Sequence, residues 1–457
     1  MTLTKLTITE DMKRKSFDYR VCDDLSEVLL KYLPIEDKLG FECVSKQFQR
    51  TIYQKHEELC IMLTLFTKMR STEDFVTGFE TLLKKLPNIK SIRYEDFGYD
   101  LQEYIDLQID SIVKYCNKLS KINCDLSQIS DERRASFASK FGQKLDSITT
   151  NTEDLEWVGK AFPKIKDLQL KGFEGSKDYI IDYLTTSHQL LSIGFKNLKK
   201  LKICLWIKEE ESPETFENNF NKFIENNKCL THFDIYMELY DNVLYDTVLR
   251  GITELDQLVY LKMSLRVNNQ LINGLRQLST KCLKLKSLSI ESIEEFSALS
   301  SSFMTEFKRF KRLERLEFEF ILESYEHFKP FNEYFEGMES LTHLSVGLNV
   351  ENRIEKDLLK DIDICFPKLR VLSIKRPLIG VSEQTIDSLS RLSRLQSLEL
   401  TVNKKSIRDS IANKVKKNSK NIKTIHIFYT IDDQNDDRNG YSFSKTIVSL
   451  FKYLNNK

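Results

Sequence analysis

The sequence predicts an α/β solenoid, a horseshoe in which short parallel strands line the concave face and helices line the convex face. Three observations predict it: a recurring apolar spacing, a near-constant interval between its copies, and helical patterns between them. The clearest copy is Phe310, Leu313, Leu316 and Phe318, with steps of three, three and two residues. Strand side chains alternate, so the last two of these point into a core.

The interval between copies is measured from the third apolar residue of each copy, which we call the marker position. The regular markers are Leu201, Phe233, Leu261, Leu288, Leu316, Leu344, Leu372, Leu398 and Ile425, with steps of 32, 28, 27, 28, 28, 28, 26 and 27 residues. Less regular copies lie upstream at Ile92, Ile122, Ile148 and Leu168. This interval is typical of leucine-rich repeats, whose units are stable only when neighbours stack.

The segments between the predicted strands favour helices. Ser212 and Pro213 suit a helix start, and an apolar face follows at Phe216, Phe220, Phe223 and Ile224. A similar spacing occurs at Phe328, Phe331, Phe335 and Met338. The sequence therefore predicts strand and helix in alternation.

The first fifty-five residues depart from the repeat. Residues 1–19 are polar and predict a loose arm. A helical spacing at Leu25, Val28, Leu29 and Tyr32 follows, and Pro34 ends that helix. Asp37 suits the cap of a second helix that carries Phe41, Val44 and Phe48.

The segments 33–39 (Leu-Pro-Ile-Glu-Asp-Lys-Leu) and 43–48 (Cys-Val-Ser-Lys-Gln-Phe) resemble an F-box. The chain departs from that pattern at Val21-Cys22, where the family usually has Leu-Pro. The resemblance implies docking on a Skp-family adaptor of a cullin–RING ubiquitin ligase. The adaptor-binding residues it implies are Val21, Cys22, Leu25, Leu29, Leu33, Pro34, Ile35, Leu39, Val44 and Phe48.

The predicted organisation has five parts. They are an arm at 1–19, the F-box at 20–55, a helical linker at 56–85, leucine-rich repeats at 86–430, and an acidic loop with a capping helix at 431–457. The linker prediction rests on helical steps from Leu59 to Met69 and again from Phe75 to Leu83. An F-box followed by such repeats is the layout of substrate receptors of SCF-type ubiquitin ligases.

The composition favours a protein of a reducing compartment. Lys and Arg number 69 and Asp and Glu 68, so net charge gives no support for binding to nucleic acid or an anionic membrane. Nine cysteines lack a Cys-x-x-Cys pair, and several, such as Cys116, Cys229 and Cys282, fall at core positions. The N-terminus lacks a signal-peptide run, and the apolar run 60–66 is too short to span a bilayer. We expect a cytosolic or nuclear protein.

Motifs for chemistry are missing from the sequence. It has no Gly-x-Gly-x-x-Gly, P-loop or Gly-x-Ser-x-Gly motif, and its six histidines show no metal-ligand spacing with cysteines. The acidic run 432–437 lacks the later glutamate of a calcium loop. We expect no catalytic site, no metal and no cofactor.

The concave face is the predicted binding surface, because mixed charge with some aromatics fits a protein or peptide better than a phosphate backbone. Two hypotheses stay open: a receptor that presents a protein substrate to a ubiquitin ligase, and a repeat scaffold or inhibitor that works without that machinery. The candidate substrate-binding residues are Lys202, Asp234, Tyr236, Tyr260, Lys262, Arg315, Glu317, His343, Glu399 and His426.

Overall fold

The structure is a computed structural model that describes most of the chain. The described residues are 28, 33, 35–40, 43, 46–62, 72–95, 102–124, 126, 129–150, 154–170, 194–206, 212–238, 242–266, 268–296, 301–322, 329–350, 357–378 and 380–429. They form two compact units, which meet in sequence between Leu198 and Lys199.

The first unit begins with two helices and continues as alternating strands and helices. In chain order its elements are α1 (Ile35–Gly40), α2 (Lys46–Lys55), β1 (Glu58–Met62), α3 (Thr72–Lys85), β2 (Ser91–Glu95), α4 (Gln102–Tyr115), β3 (Lys121–Asn123), α5 (Asp131–Phe141), β4 (Ser147–Thr150), α6 (Leu155–Ala161) and β5 (Asp167–Leu170). Each strand pairs in parallel with the next.

The described residues of the second unit form nine strands, also parallel and in chain order. Its elements are β6 (Lys200–Trp206), α7 (Pro213–Asn226), β7 (His232–Glu238), α8 (Asn242–Thr253), β8 (Tyr260–Leu265), α9 (Asn269–Lys281), β9 (Ser287–Phe296), α10 (Ser301–Glu306), β10 (Arg315–Leu322), α11 (Phe331–Tyr334), β11 (His343–Val350), α12 (Ile362–Cys365), β12 (Val371–Leu378), α13 (Glu383–Arg391), β13 (Ser397–Val402), α14 (Lys405–Asn418) and β14 (Thr424–Tyr429). The predicted leucine-rich-repeat fold is confirmed.

The marker residues stand beside one another in both units. Leu59 aligns with Ile92, and Ile122 with Ile148 and Leu168 further on, in the first unit. In the second unit the same alignment runs from Leu201 to Ile425 without a slip at the marker. The upstream copies, although less regular in sequence, are therefore true repeats.

The helices cover one face of the strands. Phe318 and Phe320 on β10 contact Phe331 on α11 and Phe303 on α10, with ring centroids 6.4 and 5.5 Å apart. The helix α7 also forms as predicted, with Pro213 first and its phenylalanines buried, although the Ser212 side chain makes no capping hydrogen bond. The opposite strand face carries the polar residues.

The turns before the strands are joined by a backbone ladder. The carbonyl of Val259 accepts hydrogen bonds from the N–H groups of Lys286 and Ser287, at 2.9 and 3.0 Å. The carbonyl of Lys286 does the same for Glu314 and Arg315, and the pattern continues to Lys423. This ladder fixes the spacing of the turns as firmly as the sheet fixes the strands.

Three sequence predictions of local structure are wrong. Residues 59–62 form strand β1 and not a helix, so the parallel ladder begins before residue 86. Asp37 lies inside α1 and does not cap a helix. The spacing at Phe328–Met338 gives only the single turn α11, because Phe335 and Met338 pack as core from the turn that follows.

The predicted F-box region is described in part. Ile52 on α2 is buried, and Leu33 and Tyr53 pack against it, so Leu33 contributes to the local core. Ile35, Leu39 and Phe48 lie in α1 and α2. Val21, Cys22, Leu25, Leu29, Pro34 and Val44 lie outside the described residues, as do the arm 1–19 and the acidic loop and helix at 431–457.

Candidate functional site

The candidate site is the polar strand face of the second unit, which we call the open face. On each strand it consists of the residue before the marker and the residue after it. On longer strands it also includes the residue three positions past the marker. Across β7 to β10 the first row is His232, Tyr260, Ser287 and Arg315, and the second row is Asp234, Lys262, Ser289 and Glu317. The pairing holds neighbouring side chains within each row about 5 Å apart.

All ten predicted substrate-binding residues lie on the open face. Each is half-buried or exposed, whereas the markers of the same strands are buried, except for the half-buried Ile425. The strand alternation was therefore read correctly from the sequence. Their part in binding stays a prediction.

Aromatic rings lie on the open face at both of its ends. The rings of His232 and Tyr260 stack with centroids 5.8 Å apart, and those of His426 and Phe428 stack at 6.5 Å. Rings held in this way lose little side-chain freedom when a partner covers them. They are suited to contact with a protein surface.

Ion pairs form both within a strand and between neighbouring strands of the open face. Arg315 and Glu317 approach to 2.5 Å, and Lys262 lies 3.6 Å from Glu291, which also accepts a hydrogen bond from Ser264. These groups are partly exposed, so each pair adds little to stability and remains available for exchange with a partner.

One ion pair crosses an entire strand. Lys375 Nζ lies 2.7 Å from Glu319 Oε2, although β11 runs between their strands. The residue beneath is Gly347, where a Cβ would lie 2.8 Å from Glu319 Cγ. Gly347 therefore makes room for the crossing side chain.

Burial changes the acidity of three open-face groups. Burial raises the pKa of Asp234, although the nearby Lys262 and Lys202 lower it. Burial lowers the pKa of His343, and Arg315 lowers it further. Burial also raises the pKa of Tyr260, so its hydroxyl stays a hydrogen-bond donor. The shifts of Asp234 and His343 both reflect the free-energy cost of holding a charge where the surface is partly desolvated.

Metal ligands, membrane-spanning helices and cysteine thiols are other features that could give the described residues a function. Across the described ranges, no group of three His, Cys, Asp or Glu side chains could hold a metal ion. Within those ranges, too, no helix has the length and apolar character needed to cross a bilayer. The seven cysteines whose side chains the structure describes are free thiols, and burial raises the pKa of Cys116 and Cys282 to about 12.

Sequence reasoning missed Glu291, Glu319, Gly347 and Lys375. Each lies three residues past a marker, so the same alternation could have found them. The contact of Glu319 with Lys375 could not be found in this way, because 56 residues separate the two.

Comparison with known proteins gives only distant matches. No protein-family model and no curated protein match the chain. Among solved structures it is similar to the leucine-rich repeat-containing protein LegL7 of Legionella pneumophila, at 10% identity and a TM-score of 0.34, covering 60% of this chain and 86% of that one. It is also similar to a chain of the yeast Rad7–Elc1 complex, at 13% identity and a TM-score of 0.40, covering 93% and 94%. Such low scores transfer no function.

Proposed function

We propose that this chain is the substrate-recognition subunit of an SCF-type ubiquitin ligase, in which the F-box region binds a Skp-family adaptor and the open face binds a protein substrate. The observation that carries the binding part is the open face itself, with aromatic and charged side chains held in register on a rigid ladder. The ligase part rests on the F-box-like residues at 33–48. The role is non-enzymatic.

The chain would contribute proximity. Holding a substrate near an enzyme that carries ubiquitin replaces a bimolecular encounter with an effectively unimolecular step. A rigid parallel ladder suits this task. Its backbone groups are already hydrogen-bonded, so little conformational freedom is lost on binding.

Adaptor capture tests the ligase part. Val28 is 46% exposed in the F-box region, and the matched exposed residue Leu283 lies in the second unit. We expect a recombinant Skp-family adaptor to bind the full chain and its Leu283→Asp variant, and to bind the Leu25→Asp/Val28→Asp variant at least tenfold more weakly. Equal binding by all three, or by none, would contradict the proposal.

The second candidate function is a repeat scaffold or inhibitor that binds proteins without ligase assembly. The departure from the F-box pattern at Val21-Cys22 favours it. Loss of adaptor binding in the unaltered chain, with protein capture through the open face retained, would establish this alternative.

A further inference from the structure

The edge of the second unit where strands begin carries a strong excess of positive charge. From Lys199 onward, the five residues before each marker include thirteen basic and three acidic residues. The acidic residues are Asp256, Glu314 and Glu339. The basic residues are Lys199, Lys200, Lys228, Lys284, Lys286, Lys311, Arg312, Arg315, Lys368, Arg370, Arg394, Lys420 and Lys423.

The excess is densest at the last three strands. The turns before β12, β13 and β14 carry Lys368, Arg370, Arg394, Lys420 and Lys423, and their fifteen residues include no Asp or Glu. All five side chains are exposed. We call these five residues the basic edge. With strands about 4.8 Å apart, they lie within roughly 10 Å along the edge.

Internal contacts do not account for the basic edge. None of its five side chains forms an ion pair with any other described residue, whereas cations on the helices nearby do. Arg391 at the end of α13 lies 2.6 Å from Asp363, and Lys414 on α14 lies 2.8 Å from Asp387. Five like charges on a fixed ladder repel one another, so an anionic partner that neutralises them gains free energy.

An exposed apolar side chain lies close in sequence to the basic edge. Ile364 on α12 is 71% exposed, the most exposed large apolar residue among those described. It precedes Lys368 by four residues and is next to Asp363, whose ion pair with Arg391 joins α12 to the end of α13. An exposed isoleucine four residues from a lysine of the basic edge matches a partner that carries both acidic and apolar groups.

The backbone of the edge argues against a phosphate ligand. The N–H groups of Gln396 and Ser397 donate to the carbonyl of Arg370, and those of Lys423 and Thr424 donate to the carbonyl of Gln396, so these four N–H groups are not available to phosphate oxygens. The three turns expose no aromatic ring for base stacking, and the helix ends beside them are C-termini, which do not favour phosphate.

We propose that the basic edge, together with Ile364, is a second docking surface, distinct from the open face, for an acidic polypeptide segment that carries an aliphatic side chain. The edge would recruit an acidic partner protein or an acidic tail of a larger assembly. Its charge would mainly speed association and make binding sensitive to salt.

Fluorescence anisotropy with the full chain tests this proposal. The probe is a labelled synthetic peptide of repeated Glu-Glu-Leu units, compared with Gln-Gln-Leu and Glu-Glu-Ser peptides and with an oligo-dT strand of equal charge. We expect the Glu-Glu-Leu peptide to bind most tightly and to weaken as salt rises. Arg394→Glu/Lys420→Glu/Lys423→Glu should weaken it at least tenfold, and Ile364→Ser about threefold.

A matched control removes the same charge elsewhere. Lys121, at the start of β3, and the turn residues Lys144 and Lys164 are exposed lysines of the first unit, and their triple change to Glu should weaken binding less than threefold. An equal loss in this control, tighter binding of oligo-dT, or unchanged binding by the basic-edge variant would overturn the proposal. An unchanged thermal melting temperature in each variant confirms that folding is intact.

Discussion

The two units share their marker row but differ in the core row two residues further on. In the second unit that row is entirely apolar: Ile203, Ile235, Met263, Ile290, Phe318, Val346, Ile374, Leu400 and Ile427. In the first unit it includes Tyr94, Cys124 and Thr150, all buried. The first unit therefore holds polar groups where the second packs carbon.

Each polar group in that row has a local partner. Tyr94 donates its hydroxyl proton to the buried Gln108 on α4, and Thr150 lies 3.5 Å from Asp154, which pairs with Arg134 at 2.8 Å. The comparison teaches that a repeat fold tolerates polar core residues when a neighbouring side chain completes their hydrogen bonds. It also explains why the first unit's repeats are harder to recognise in sequence.

The largest loss of stability is expected from a change in the entirely apolar core row of the second unit. Phe318→Ala should destabilise the second unit by about 4 kcal/mol, because Phe318 is 2% exposed and contacts four other rings. The two tryptophans, Trp157 and Trp206, lie in the first and second unit, so single-tryptophan variants report on each unit. Urea denaturation should shift the Trp206 transition most. An equal shift at Trp157 would contradict the separation of the two units.

The second-largest loss of stability is expected when a polar side chain in the core row of the first unit loses its buried partner. Asp154→Ala should cost about 3 kcal/mol, because it leaves Arg134 and Thr150 without their buried carboxylate, and Asp154 is 2% exposed. Urea denaturation followed at Trp157 measures it. Glu156→Ala, which breaks an exposed pair with Lys160 on the same helix, is the control and should change stability by less than about 0.5 kcal/mol. Similar losses from both would refute the role of burial.

Replacing the hydrogen-bonded pair Tyr94–Gln108 by apolar side chains separates the effect of hydrogen bonding from the effect of shape. Tyr94→Phe should cost about 1.5 kcal/mol, because it leaves the carbonyl of Gln108, which is fully buried, without its donor. The double variant Tyr94→Phe/Gln108→Leu should recover most of that loss, since no polar atom then lacks a partner. Thermal unfolding of the three proteins checks this. Failure of the double variant to recover would mean that shape, and not hydrogen bonding, sets the cost.

The smallest effect concerns His56, three residues before the Leu59 marker, where the other repeats have an apolar residue. Burial and, to a smaller extent, the charge of Lys38 lower the pKa of His56 to about 4, although a backbone hydrogen bond with Glu58 opposes them. The unfolded chain binds a proton below pH 6.5 and the folded chain only near 4, so stability should fall as pH drops through this window. We expect a loss of about 1 kcal/mol, allowing for partial exposure.

The control for this pH effect is direct. His56→Leu should flatten the stability curve between pH 6.5 and 4, and His426→Gln on the open face should leave it unchanged. The measurement is the urea midpoint at each pH. A curve of unchanged slope in His56→Leu would assign the effect to another group.

Much of the fold was predictable because burial demands a regular pattern. The steps from Leu201 to Ile425 predicted nine strands in register, and the alternation around them placed Lys262, Glu317 and His426 on the open face. The helical assignment of 59–62 failed because Leu59, Ile61 and Met62 fit a helical spacing as well as a strand. Only pairing with β2 decides between them.

The sequence by itself determined the repeat, its register and the polar side of each strand, because these follow from which side chains must leave water. Tertiary structure alone decided which charges meet. Lys375 forms an ion pair with Glu319 across Gly347. The basic edge brings together five cations from three separate turns, although the net charge of the whole sequence is only +1. Charge acts through space, so its pattern exists only once the turns are stacked.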